Sequence, residues 1–153
     1  MVDGIEKYNY VGNLPANINN AVIRVNNEKG KYNCHGFTGI VFGMSGIDIE
    51  NYANGHRNLS IKPEVGTLFA IHDSFAKTVV HSGVVVGFDE NNEPLVISKE
   101  GKGGDVTIKT ANNLLAQYSK YCIDDLRSWI ESGMTFLEQS TKTKMFFVLA
   151  PKI

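Results

Sequence analysis

The sequence lacks most of what would mark a membrane, metal or nucleic-acid protein. No apolar run approaches the roughly 18 residues that span a bilayer, so no membrane partner is expected. The net charge is −1, without the basic excess of a nucleic-acid binder or a polybasic membrane face. The four histidines (His35, His56, His72, His81) and two cysteines (Cys34, Cys122) fall in neither CxxC nor HxxxH spacing, so no metal is expected. No motif asks for a cofactor. Two cysteines could close one disulfide, but a chain of this kind made in the cytosol has no need of it. The first residues, MVDGIEKYNYVGN, carry no basic start followed by an apolar stretch, so no signal peptide is visible. Synthesis in the cytoplasm is expected, with export by a dedicated secretion system or release by lysis if the protein acts outside. Repeats, low-complexity tracts and Pro- or Ser-rich linkers are also missing, and the 153 residues read as a single domain, 1–153.

What is present is an ordinary globular composition, 42% hydrophobic and 20% charged, enough to bury a core. The first thirty residues are rich in Asn and Gly and read as a looping lead-in, with Ala21 to Val25 as a short strand. In KYNCHGFTGIVFGMSG, Asn33 is a good N-cap. Phe37, Ile40, Val41 and Met44 recur at helical spacing, so a helix is expected from Cys34 to Met44, stopped by Gly43 and Gly46. Its internal glycines suit close packing against a sheet. Asp48 to Ile61 reads as loop with a helical turn at most. Strands are expected at Thr67–His72, Thr78–Val86, Pro94–Lys99, Asp105–Lys109 and Met145–Ala150, with 88–93 a hairpin loop. Helices are expected at Asn112–Ser119 and Asp124–Glu131. The class is α+β.

The chemistry centres on Cys34. A thiolate attacks carbonyls well, and a helix N-terminus or a nearby imidazolium favours that form. The free N–H groups of the same turn could also hold an oxyanion. The plainer reading makes Cys34 a small buried hydrophobe. His81 opens the apolar strand His81-Ser82-Gly83-Val84-Val85-Val86-Gly87. Pairing Val86 with Leu95 places Val84 opposite Ile97 and His81 opposite Glu100, on one face. A two-residue slip would offer Ser98 instead. Either side chain can orient an imidazole, whereas the Lys99 of a one-residue slip cannot accept a hydrogen bond. His35 points about 100° away from Cys34 on the helix, so it reads as a cleft residue and not a base. His72 reads as structural, His56 as exposed, and Cys122 and Trp129 as packing residues, Trp129 in one stripe with Leu126 and Ile130.

Asn33-Cys34-His35-Gly36-Phe37 resembles the Asp-Cys-Ser-Gly-Phe nucleophile segment of NlpC-type cell-wall peptidases. Pro63-Glu64-Val65-Gly66-Thr67 is similar to the Pro-x-x-Gly-Asp turn before their histidine strand, and His81 to Gly87 to their His-Val-Gly-Ile-Tyr-Val-Gly. Leu95-Val96-Ile97-Ser98-Lys99-Glu100-Gly101 resembles the next strand of the related CHAP amidases. These segments keep the family order over 32–101. His35 stands where Ser is usual and Thr67 where Asp is usual, and residues 105–153 match nothing in the pattern.

The resemblance implies a papain-like fold with the nucleophile helix packed on an antiparallel sheet. It implies a cysteine amidohydrolase with Cys34 as nucleophile, His81 as base and Glu100 as the orienting group. The implied substrate is an amide of bacterial peptidoglycan, cut by an antibacterial effector or lysin-like amidase with an immunity protein or secretion machinery as possible partners. Two rival expectations are an effector that deamidates or cleaves a host protein, and a catalytically silent binding module of the same fold.

Overall fold

The computed structural model describes residues 13–125 and 143–151, with side chains through 119 and again over 143–151. Helix α1 (Ala16–Asn27) is followed by α2 (Cys34–Phe42) and α3 (Gly46–His56). The strands β1 (Leu68–Asp73), β2 (Thr78–Phe88), β3 (Pro94–Lys99) and β4 (Val106–Thr110) come next, then α4 (Ala111–Asp125) and β5 (Thr143–Val148). All pairings are antiparallel in the order β4-β3-β2-β1-β5, so β5 returns to cover the edge of β1.

The α+β expectation holds. Strand alternation sorts the core into two layers, since successive side chains point to opposite faces. Val84, Val86, Leu95, Ile97, Val106 and Ile108 meet α1 and α2 through Ile18, Ala21, Val22, Val25, Phe37 and Val41. Leu68, Ala70, Val79, Phe146 and Val148 meet Ile49 and Ala53 of α3 on the same face. Phe69, Ile71, Val85, Val96 and Phe147 turn the other way, toward Ala111 and Leu114 of α4.

Two expectations for the first third fail. Residues 16–27 form a helix, not a loop with a strand, because the buried Ile18, Ala21, Val22 and Val25 follow i, i+3, i+4, i+7. That period outweighs the asparagines, which lie mostly on the solvent side. Residues 46–56 form α3, whose Ser45 side chain accepts from the Asp48 N–H as an N-cap, so Gly46 starts a helix instead of ending one. Where α2 was expected, Asn33 caps it by accepting from the Gly36 N–H, and Gly43 ends it at φ 72°. The glycines of α2 face segments beside the helix and not the sheet: a Cβ on Gly39 would lie 2.5 Å from the Met44 carbonyl oxygen. The helix expected at Asp124–Glu131, with Trp129, falls almost wholly outside the described residues; Asp124 and Asp125 end α4.

Two bulges shape β2. Against β1 the pairs are Ile71↔His81 and His72↔Val79, which leaves Val80 as the extra residue. Against β3 the pairs are Val84↔Ile97, Val85↔Val96 and then Gly87↔Leu95, so Val86 is extra. The Val84–Ile97 pairing is as expected; the Val86–Leu95 pairing is displaced by the bulge. A bulge bends its strand and re-aims the side chains beside it. No described helix is long and apolar enough to cross a membrane.

Candidate active site

Cys34 is the first residue of α2 and is only 7% exposed. Its Sγ lies 3.9 Å from the carbonyl oxygen of Val80, the bulge residue directly before His81. The backbone N–H groups of Ser82, His35 and Cys34 itself favour the thiolate, as a helix start should. Burial outweighs them, and the thiol is pushed above its ordinary range. The low-pKa thiolate expected from the helix position alone is therefore not what this environment produces.

His81 is fully buried. Its ring stacks on Tyr118 of α4, with centroids 4.0 Å apart and planes 21° apart. Nε2 lies 3.0 Å from the Ser98 hydroxyl oxygen, while Nδ1 is buried without a hydrogen-bond partner. If Ser98 donated to Nε2, the proton on Nδ1 would be an orphaned buried donor, which is the costlier arrangement. The favoured tautomer has Nε2–H donating to Ser98 and leaves a bare lone pair on Nδ1. Desolvation, then the neighbouring His35 and Lys109, lower the His81 pKa to about 3, so the ring is neutral near pH 7.

The expected contact between Glu100 and His81 is not made. Glu100 does not meet His81: its Oε1 pairs with Lys109 and accepts from the Thr107 hydroxyl at 3.2 Å. Ser98 meets the His81 ring instead, without the two-residue slip that a directly opposite placement would need. In the observed register it lies diagonal to His81, across from Gly83, and diagonal neighbours are within reach of an aromatic ring. Gly83 makes that contact possible. A Cβ there would fall 2.7 Å from the Ile97 carbonyl oxygen and 2.9 Å from the Ser98 Cβ.

Cys34 opens on a cavity of about 410 Å³ whose other walls are Val80, Glu100, Gly101, Gln117 and Tyr118. The Glu100–Gly101 wall is held from behind by Lys99. Its buried ammonium donates to the carbonyls of Gly101, Lys102 and Gly104 at 2.6, 2.9 and 2.8 Å. No hydrogen bond joins Cys34 to His81: the sulfur faces the Val80 carbonyl and Nδ1 has no partner.

The remaining histidines separate clearly. His35 is buried in the interface between α2 and β2. Its Nε2 donates to the Val79 carbonyl at 3.1 Å, and its Nδ1 lies 2.8 Å from the Ser82 hydroxyl. Ser82 in turn lies 3.2 Å from the Thr38 hydroxyl, which donates to the Cys34 carbonyl at 3.0 Å. His35 is thus a strut beneath Cys34 and not an open cleft residue. His56 is half-buried on α3, stacked on Tyr52, and not loose in a loop. His72 is half-buried on β1 with a buried, unpartnered Nε2. Cys122 falls in α4, where its side chain lies outside the described ones. Among the described residues no group of three His, Cys, Asp or Glu side chains could hold a metal.

Tyr118, Gln117 and the anchoring role of Lys99 are not among the residues expected from the sequence. Tyr118 had a signal, since Ala111, Leu114, Leu115 and Tyr118 keep helical spacing. Comparison with family models, with curated proteins and with solved structures finds no match.

Proposed function

We propose that this protein is a cysteine amidohydrolase in which Cys34 attacks an amide carbonyl and His81 moves the proton. The observation that carries the reading is the His81 ring: one nitrogen tied to Ser98, the other buried with an unshared lone pair, one residue from the carbonyl that Cys34 touches. A buried polar atom without a partner costs stability, and such costs gather at sites of chemistry.

The thiol is raised and the imidazole lowered, so the resting pair is neutral. The sulfur leaves the Val80 carbonyl and passes its proton to Nδ1 as it bonds to the substrate carbon. The Ser82, His35 and Cys34 N–H groups that favour a thiolate also favour negative charge developing beside the sulfur. The C–N bond breaks, the amine departs with the proton from Nδ1, and water activated by the same nitrogen releases the acid from the thioester. Ser98 holds the ring through these steps. The substrate that the resemblance favours is a peptidoglycan peptide, with a host-protein amide as the alternative.

One observation favours a silent binding module: no Cys34–His81 hydrogen bond is formed. Incubation with purified peptidoglycan, followed by mass analysis of the released fragments, separates the readings. Wild type releases new amines or acids, and Cys34→Ala and His81→Ala each lose essentially all of that activity. Because the two act as one unit, the double variant is little worse than either single one. Release by Cys34→Ala at the wild-type rate would remove Cys34 from the chemistry. If peptidoglycan stays intact, the same fragment analysis on a panel of glutamine-containing proteins tests the alternative substrate.

A further inference from the structure

Glu100 is released from the histidine by Ser98, and its placement on the cavity wall suggests what it does instead. Lys109 reaches it from β4, pairs with its Oε1, and donates at 3.1 Å to the Oε1 of Gln117. That second bond fixes the Gln117 amide, because only its oxygen can accept from an ammonium. The lysine thereby ties down one atom of each neighbour and leaves the other. Among the described residues Glu100 Oε2 and Gln117 Nε2 have no hydrogen-bond partner. Both residues line the cavity onto which Cys34 opens.

We propose that Glu100 and Gln117 form an amide-reading wall that selects substrates with a further secondary or primary carboxamide beside the bond to be cut. The free acceptor, Glu100 Oε2, takes the N–H of that group, and the free donor, Gln117 Nε2, gives to its carbonyl. Lys109 balances the Glu100 charge, so the wall suits a neutral group. A substrate carboxylate meets an acceptor where it needs a donor, and an ester has no N–H to offer. The Tyr118 ring and Val80 supply apolar walls for the intervening carbons. This inference rests on Cys34 being the nucleophile, and it narrows the substrate to a peptide-like chain.

Three alkylating probes test it without knowledge of the natural substrate: chloroacetyl-glycinamide, chloroacetyl-glycine methyl ester and chloroacetyl-glycine. In each, the sulfur displaces chloride and forms one C–S bond, the thiol proton passing to His81 or solvent. Rates at Cys34 are read by peptide mass mapping and divided by the rates of the same probes with N-acetylcysteine. The corrected rate for the carboxamide should exceed those for the ester and the acid by about fivefold or more, the value of one hydrogen bond gained.

Glu100→Gln should remove the preference for carboxamide over ester, because Lys109 keeps the oxygen and an N–H then faces the probe's N–H. Gln117→Leu, at an exposed helix position, should slow the carboxamide and the ester together. Equal corrected rates for all three probes in wild type, or an unchanged carboxamide-to-ester ratio in Glu100→Gln, would overturn the wall. Failure of every probe to label native Cys34 is a different result: it removes the nucleophile, and the wall falls with it.

Discussion

Two buried histidines on opposite faces of one sheet differ in how far their ring nitrogens are bonded. His35 packs between α2 and the sheet with both ring nitrogens engaged, one on the Val79 carbonyl and one on the Ser82 hydroxyl. His81 lies on the opposite face beneath Tyr118, with one nitrogen engaged and the other empty. Burial lowers the pKa of both, so neither burial nor charge state separates them. The difference is satisfaction. A fully bonded histidine adds to the connection between layers, whereas a half-bonded one leaves a lone pair unused at a cost in stability, and under the proposed function that lone pair is the base.

The comparison breaks most directly under volume-conserving substitution. His35→Phe leaves the Val79 carbonyl and the Ser82 hydroxyl without their partner and should cost about 2–4 kcal/mol. His81→Phe removes an unsatisfied atom and frees only Ser98, so its stability should stay within about 1 kcal/mol of wild type while activity is lost. Denaturant midpoints measure both. Equal losses in the two variants would make His81 as structural as His35.

An effect of similar size accumulates in acid. The His81 pKa is lowered to about 3 in the folded protein, against about 6.5 in an unfolded chain. Between those values the unfolded state binds the extra proton, so stability falls as pH drops through this window. The slope attributable to this residue approaches about 1.4 kcal/mol per pH unit at the steepest. Urea titrations from pH 7 to pH 4 should show it, and the slope should flatten in His81→Phe. His35 acts in the same direction, so a residual slope remains in that variant.

The smallest expected change in stability separates Ser98 from Glu100. Ser98→Ala leaves the buried His81 N–H without an acceptor, about 1–3 kcal/mol, and lets the ring turn, so activity should fall well before the fold does. The loss should appear in kcat. Glu100→Gln should leave kcat nearer to wild type and act on KM, as a binding group does. A kcat loss in Glu100→Gln as deep as that in Ser98→Ala would return Glu100 to the catalytic group.

The sequence alone carried the α+β class, the helix that begins at Cys34, the strand from Thr78 that carries His81 and the Val84–Ile97 pairing. Each rests on local signals: an N-cap at Asn33, an αL glycine at Gly43, and β-branched runs between turns. It carried less of the first third, where an asparagine count hid the helical period of Ile18, Ala21, Val22 and Val25. Which polar group meets His81 lay beyond local pattern, because alternation names the face of a residue but not its diagonal neighbour. That choice was made by a bulge at Val80, by the missing side chain of Gly83 and by the pull of Lys109 on Glu100 from another strand. Side-chain partners follow from distances of a few ångströms between segments far apart in the chain. Only the packed sheet with helices on both faces fixes those distances.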